Sequence, residues 1–244
     1  MTIHIGVAGW SIPSLIANSF PSEGTHLERY GQRFSCVEIN SSFYRPHRRT
    51  TYKRWAGSVP KSFRFSLKLP RVITHDRRLV DCEMLIEKFA EETSGLGHKR
   101  GPILVQLAPS FIYPRDAAER FLEILKSSIA GPIVLEPRHA SWFSPEVNHM
   151  LERQQVSRVA ADPAKLISAA SPGGWRNLAY FRFHGSPEIY KSNYGSDAIT
   201  AQVATVTQLV RKGIDVWTIY DNTTFGAATR NALDLAETLT RTTL

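Results

Sequence analysis

The sequence has two cysteines, Cys36 and Cys82, in 244 residues. They are too few and too far apart for a CxxC pair or a thiol-rich metal cluster, so neither a disulfide framework nor a zinc knuckle is available. Cys36 sits inside the apolar run CVEIN, where a small buried hydrophobe is expected, and this usage fits a reducing compartment. No stretch approaches the roughly 18 apolar residues of a membrane-spanning helix. The start, MTIHIGVAGW, lacks the basic region and apolar core of a secretory signal. A cytoplasmic protein with no membrane partner is therefore expected. Also missing are the Walker loop, GxGxxG, GxSxG, HExxH and HxH, so no cofactor and no metal is expected. There is no low-complexity stretch, repeat or long linker, and the length suits one barrel-sized domain over 1–244. Acidic residues are outnumbered, 22 against 30 Lys and Arg, for a formal charge of +8. That balance favours anionic partners or merely keeps the chain soluble. The run RPHRRTTYKRW (45–55) concentrates Arg45, Arg48, Arg49, Lys53 and Arg54, as a solvated helix face or an anion-attracting rim.

What is present is alternation. Short apolar runs occur at 3–9, 36–40, 64–69, 103–107, 133–136, 158–162, 179–184 and 216–221. Helical patterns fall near 24–33, 50–57, 81–95, 115–128, 145–154, 198–212 and 226–241. Eight strands alternating with helices predict parallel pairing in a TIM-barrel-like (β/α)8 fold. It should be irregular after the sixth strand, where AKLISAASPGGW has little room for a helix. HKRGP (98–102) reads as a solvated turn into strand four.

Along most strands one face is apolar and the other turns polar towards the C-terminal end. In a barrel the apolar face packs on helices, and the polar ends converge on the C-terminal mouth. The stretch VLEPRHASWF (134–143) ends strand five this way with Glu136 and Arg138. Glu38, Lys68, Gln106, Arg182 and Asn222 share its phase, and Asn40, Asp162 and His184 stand at strand ends. Such a set is either a self-neutralising network filling the barrel or a ligand site. Lys68, Arg138 and Arg182 would repel a metal and suit a carboxylate or phosphate. Glu136 is the candidate general base, with Glu38 or His184 as acid. Asn40, Gln106 and Asn222 are candidates for orienting hydroxyls. Trp10, Tyr190 and Tyr194 are candidates for stacking on a ring, while Phe43 and Trp142 read as loop packing. These residues predict an enzyme acting on a small anionic, polyhydroxylated molecule, by isomerisation or hydrolysis. Two alternatives stand beside it. One is a nucleic-acid-binding or processing protein using residues 45–54, and the other is a non-catalytic binding barrel.

The motifs GVAGW, VEINSSFYRP, FRFSLKLP, GPILVQLAPSF, LEPRHASWF, YFRFHG and YDNTTFGAATRNA follow one another in this order. In that order and spacing the chain resembles the domain-of-unknown-function 72 (DUF72) family, the YecE-like proteins, over nearly its whole length. The resemblance implies a TIM-barrel-like fold and carries a loose sugar-isomerase-related label, without settling an activity. It places recurring polar positions at Glu38, Asn40, Lys68, Gln106, Glu136, Arg138, His139, Arg182, His184 and Asn222. The chain departs from the pattern at SIPS after Trp10, at Ala108-Pro109 and at Pro137.

Overall fold

A computed structural model describes residues 1–243. Eight parallel staves form a TIM-barrel-like α/β fold. The strands are β1 (Ile3–Val7), β2 (Cys36–Ile39), β3 (Arg64–Lys68), β4 (Arg100–Gln106), β5 (Ile133–Glu136), β6 (Val156–Arg158), β7 (Ala160–Asp162), β8 (Gly173–Gly174), β9 (Leu178–Phe183) and β10 (Asp215–Tyr220). Their ladders form two sheets, ordered β1-β10-β9-β7 and β2-β3-β4-β5-β6-β8. The predicted sixth strand is one stave divided at Val159. Its first half pairs with β5 and its second half with β9. On the opposite side β1 meets β2 through a single parallel bridge, Ala8 to Glu38. The ring of staves therefore has two seams where the ladder is interrupted.

The helices are α1 (His26–Gly31), α2 (Arg49–Gly57), α3 (Glu83–Thr93), α4 (Arg115–Ser128), α5 (Pro145–Arg153), α6 (Ser196–Arg211) and α7 (Ala227–Thr243). All seven lie where the sequence pattern puts them. Local chemistry sets their starts. The Thr25 hydroxyl accepts from Glu28 N–H while the Glu28 carboxylate accepts from Thr25 N–H, a reciprocal cap on α1. Ser144 caps α5, with Pro145 in the first turn where no N–H is needed. After β7 there is no α-helix. A 3-10 turn at Ile167–Ala170 leads into the two-residue β8, antiparallel to β6.

The period-2 pattern sorts side chains as expected on most strands. Val37, Ile39, Phe65, Leu67, Ile103, Val105, Ile133, Leu135 and Phe181 join the main core under the helices. Inside the staves a second apolar cluster of Cys36, Leu104, Val134, Val159, Leu178, Tyr180, Trp217 and Ile219 fills the lower barrel. His4 lies against Trp217 at 4.4 Å between ring centroids. Gly6 faces inward where a Cβ would stand 2.3 Å from the Cys36 carbonyl oxygen, so only glycine lets β1 and β2 approach this closely.

Two expectations change. Lys99 is not in a solvated turn: it is buried, and its ammonium donates to the carbonyls of Ala56 and Val59, each at 2.6 Å. On β10 the polar face is not the inner one. Tyr220 points out to Gln202 on α6, while Trp217, Ile219 and Asp221 follow the interior. Trp142 is fully buried, with its indole N–H on Phe111 O at 2.8 Å. No helix among the described residues is long and apolar enough to cross a membrane.

Candidate functional site

Above the lower apolar cluster the interior becomes charged. The Arg182 guanidinium, fully buried on β9, is the hub. It donates from Nε and Nη2 to the two oxygens of Glu38 (3.1 and 2.8 Å), from Nη2 to Asp221 Oδ2 (2.8 Å), and from Nη1 to Glu136 Oε2 (2.8 Å). The two-point contact with Glu38 uses the planar fork of arginine, which lysine could not reproduce. The Tyr180 hydroxyl also donates to Glu38, at 2.9 Å, and lies 2.8 Å from Ser66 Oγ.

Glu136 accepts four hydrogen bonds. Besides Arg182, the partners are Gln106 Nε2 at 2.9 Å, His184 Nε2 at 3.1 Å and Arg138 Nη2 at 3.3 Å. Burial works against its charge, but Arg182, His184 and Arg138 outweigh that and hold the carboxyl well below its ordinary range. The other nitrogen of His184, Nδ1, lies 3.1 Å from Asp221 Oδ2. An imidazole with a carboxylate at each nitrogen satisfies both only as the doubly protonated cation. Burial and Arg182 lower the pKa of His184, but Asp221 and Glu136 outweigh them and raise it. Burial likewise opposes the charge of Asp221, and Arg182 and His184 hold its pKa down.

Lys68 and Lys99 are buried among the described lysines. The Lys68 ammonium lies 4.1 Å from the centre of the Phe43 ring. Burial first, and then Arg182, lower its pKa to about 8, against the pull of Glu38, Glu136 and Asp221. His75 packs edge-on to the same ring at 5.1 Å, and burial, Lys68, Arg71 and Arg138 keep it below its ordinary pKa.

A cleft of about 130 Å³ opens over one flank of this cluster, with Glu136, Arg138, Phe143, Lys165, His184 and Tyr190 in its walls. The Arg138 side chain is 27% exposed, whereas those of Glu136 and His184 are 2% and 5%. Tyr190 stands perpendicular to His184 at 5.7 Å, at φ +68°, a backbone conformation unusual for a tyrosine.

The structure thus brings Glu38, Lys68, Gln106, Glu136, Arg138, Arg182 and His184 together, with Tyr190 at the rim. Others lie elsewhere. Asn222 donates to Ser192 O and Asn231 Oδ1, and Asp221 takes the place in the cluster that the strand phase gave to Asn222. Asp162 and Tyr194 pair with each other at 2.6 Å, and Tyr194 is packed against Phe183 and Tyr220 rather than in the cleft. Trp10 packs edge-on to Trp55 at 5.0 Å. His139 hydrogen-bonds Ser141. The side-chain oxygen of Asn40 is buried with no hydrogen-bond partner among the described residues. Asp221 and His75 were missed from sequence. Asp221 carried a signal, since it follows Trp217 and Ile219 at a period of two. His75 lies in a wide turn after β3 that has no strand periodicity. Among the described residues no group of three or more His, Cys, Asp or Glu is placed to hold a metal ion, and Arg182 occupies the centre of the carboxylates.

Comparison with known proteins agrees with the fold. The UPF0759 protein YecE of Escherichia coli (strain K12) is 30% identical over 177 residues, 70% of this chain; the matched region spans 62% of that relative. A crystal structure of a DUF72 family protein from Enterococcus faecalis superposes with a TM-score of 0.83 at 22% identity, covering 98% of this chain and 96% of that one. A sugar phosphate isomerase/epimerase from Parabacteroides distasonis covers the same shares with a TM-score of 0.53 at 12% identity, a likeness of fold alone. The family described as "Protein of unknown function DUF72" matches residues 4–244, and the chain belongs to that family.

Proposed function

We propose that the protein is an enzyme that binds a small anionic, polyhydroxylated molecule, of the sugar-phosphate or sugar-acid kind, in the barrel mouth and moves a proton on it. One observation carries this reading: Glu136 and His184, a carboxylate and a protonated imidazole 3.1 Å apart, both reach the wall of the cleft beside the partly exposed Arg138. Arg182 has most of its N–H groups engaged by Glu38, Glu136 and Asp221, which suits it to positioning carboxylates. Arg138 donates to Glu136 at 3.3 Å and also hydrogen-bonds Tyr190, which still leaves N–H donors of its guanidinium for a ligand anion. A ligand that draws Arg138 away removes one of the cations holding Glu136 down and makes that carboxylate more basic. His184 then serves as the acid. The Parabacteroides neighbour is described as acting on sugar phosphates, in keeping with this class.

A thermal-shift screen of sugar phosphates and sugar acids tests it, because specific binding raises the melting temperature by mass action. Arg138→Ala should abolish the shift. Glu136→Gln should keep the fold and the shift but lose turnover; a Gln variant with full turnover would remove Glu136 from the proposed role. A shift without turnover in wild type would leave a binding barrel.

A second reading has its own observation. Arg45, Arg48, Arg49, Lys53 and Arg54 are exposed, and none forms an ion pair within the described chain. A nucleic-acid surface there predicts affinity that falls steeply with salt and disappears when Arg48 and Arg49 are changed to Glu.

A further inference from the structure

Two buried lysines of the described chain are held in opposite ways. Lys99 has its ammonium tied to two carbonyl oxygens. Lys68 has no carboxylate oxygen within 4.0 Å among the described residues, and of the charges around it Arg182 acts most strongly, against the weaker pull of Glu38, Glu136 and Asp221. Its ammonium lies over the face of Phe43, 4.1 Å from the ring centre. A lysine removed from water without an ion-pair partner is costly as a cation and readily becomes a neutral amine. An arginine would serve anion binding better at this position, because it stays charged and offers a planar fork. Unlike arginine, lysine becomes a nucleophile once its proton is lost. The same interior holds the imidazolium of His184 and, against Phe43, His75, whose pKa burial and the neighbouring cations hold below its ordinary value.

We propose that Lys68 is a covalent catalytic residue that forms an imine with the carbonyl carbon of an open-chain hydroxy-aldehyde or hydroxy-ketone substrate. The assignment rests on the reading of the barrel mouth as the reacting site, and it narrows the substrate to one with a free carbonyl. The neutral amine attacks the carbonyl carbon, forming a C–N bond while the C=O π pair moves to oxygen. The oxygen takes a proton from His184, and the nitrogen gives one up to His75, directly or through solvent. The resulting carbinolamine loses its hydroxyl as water, protonated by the proton that His75 received, and leaves a protonated imine. Amine and carbonyl thus become imine and water, with no oxidant or reductant. The iminium nitrogen then withdraws electrons from the neighbouring carbon, where Glu136 can remove a proton. The low exposure of Lys68, 5%, excludes bulky reagents, so the substrate is a small carbonyl compound.

The test uses the full chain and glycolaldehyde, a carbonyl probe without phosphate, with borohydride to reduce any imine to a stable amine. Peptide mapping should find one hydroxyethyl group on Lys68 ahead of the exposed Lys53, Lys61, Lys88, Lys126, Lys165, Lys191 and Lys212. Labelling at Lys68 should rise with pH through a midpoint near 8. Lys68→Arg should lack that adduct while exposed lysines label as before. Modification confined to exposed lysines, with Lys68 recovered unmodified from wild type, overturns the assignment whether or not the variant folds. The sugar-phosphate thermal shift separates the two ideas. A shift without labelling at Lys68 retires the imine and keeps the anionic-ligand site. Labelling at Lys68 without a shift from any sugar phosphate or acid keeps the nucleophile and retires that substrate class.

Discussion

Arg182→Met should cost stability in a way that depends on pH. The guanidinium is fully buried and is shared by three carboxylates, each within 2.8 Å. Removing one partner of a buried ion pair costs about 3–5 kcal/mol, because the remaining charge is left desolvated. Lys68 and Arg138 remain near Glu136, so a single-pair cost is the appropriate scale. With an m-value of about 3 kcal/mol/M, the urea midpoint at pH 7 should fall by about 1–2 M. In the native protein the pKa values of Glu136 and Asp221 are held below their ordinary 4.5 and 3.8. Their stabilisation is present above those values and is lost as pH falls through the folded-state values. Without Arg182 the same buried carboxyls should titrate higher than in water, so the variant loses stability as pH rises. The gap between wild type and variant therefore narrows from pH 7 to pH 4. Urea titrations followed by tryptophan fluorescence at the two pH values measure it. Adding Glu38→Gln and Asp221→Asn to the variant should recover part of the loss at pH 7. A cost under about 1 kcal/mol at pH 7, or one independent of pH, would refute the view that unpaired buried charge is what Arg182 prevents.

Other outcomes follow from the same geometry. The pKa of His184 is raised above its ordinary 6.5, so its contribution is fully present below pH 6.5 and is lost as pH rises through the folded value. His184→Gln should thus be more destabilising at pH 6 than at pH 9, by urea midpoints; the opposite trend would mean a neutral ring. Gly6→Ala should lower the melting temperature by roughly 5 °C, since its Cβ would stand 2.3 Å from a backbone oxygen that moves only with β2. Gly57→Ala, with nothing within 4 Å of the added atom, should not.

How far the sequence reveals the site varies strand by strand. The polar phase of β2, β3, β4, β5 and β9 could be read because their outer faces are uniformly apolar, and Glu38, Lys68, Gln106, Glu136 and Arg182 stand out against them. On β10 the same rule fails. The lower interior there is itself apolar, filled by Trp217 and Ile219, while Tyr220 faces α6 and satisfies its hydroxyl on Gln202. Polarity therefore marked the wrong face, and Asn222 was favoured over Asp221. Loop residues were the least legible. Tyr190 and Tyr194 lie in the same loop after β9, yet one stands over His184 and the other packs outside the barrel on Phe183. Only tertiary packing separates them. The missing helix after β7 could be read directly, since twelve residues rich in Ala, Ser, Pro and Gly cannot continue an amphipathic pattern.

The two seams in the ladder bear on the order of assembly. Strands β2 to β6 pair with sequence neighbours and can join their ladder as they emerge during synthesis. By contrast β1 finds its ladder partner only in β10, more than 200 residues later, with Ile3 beside Val216 and Val7 beside Tyr220. Such non-local pairing is slow, because the loop-closure entropy must be met before the contact forms. The Arg182 cluster completes on the same schedule. Glu38 and Glu136 arrive on the early sheet, Arg182 and Asp221 on the late one, so the charged interior is neutralised only when the two halves of the nascent chain meet.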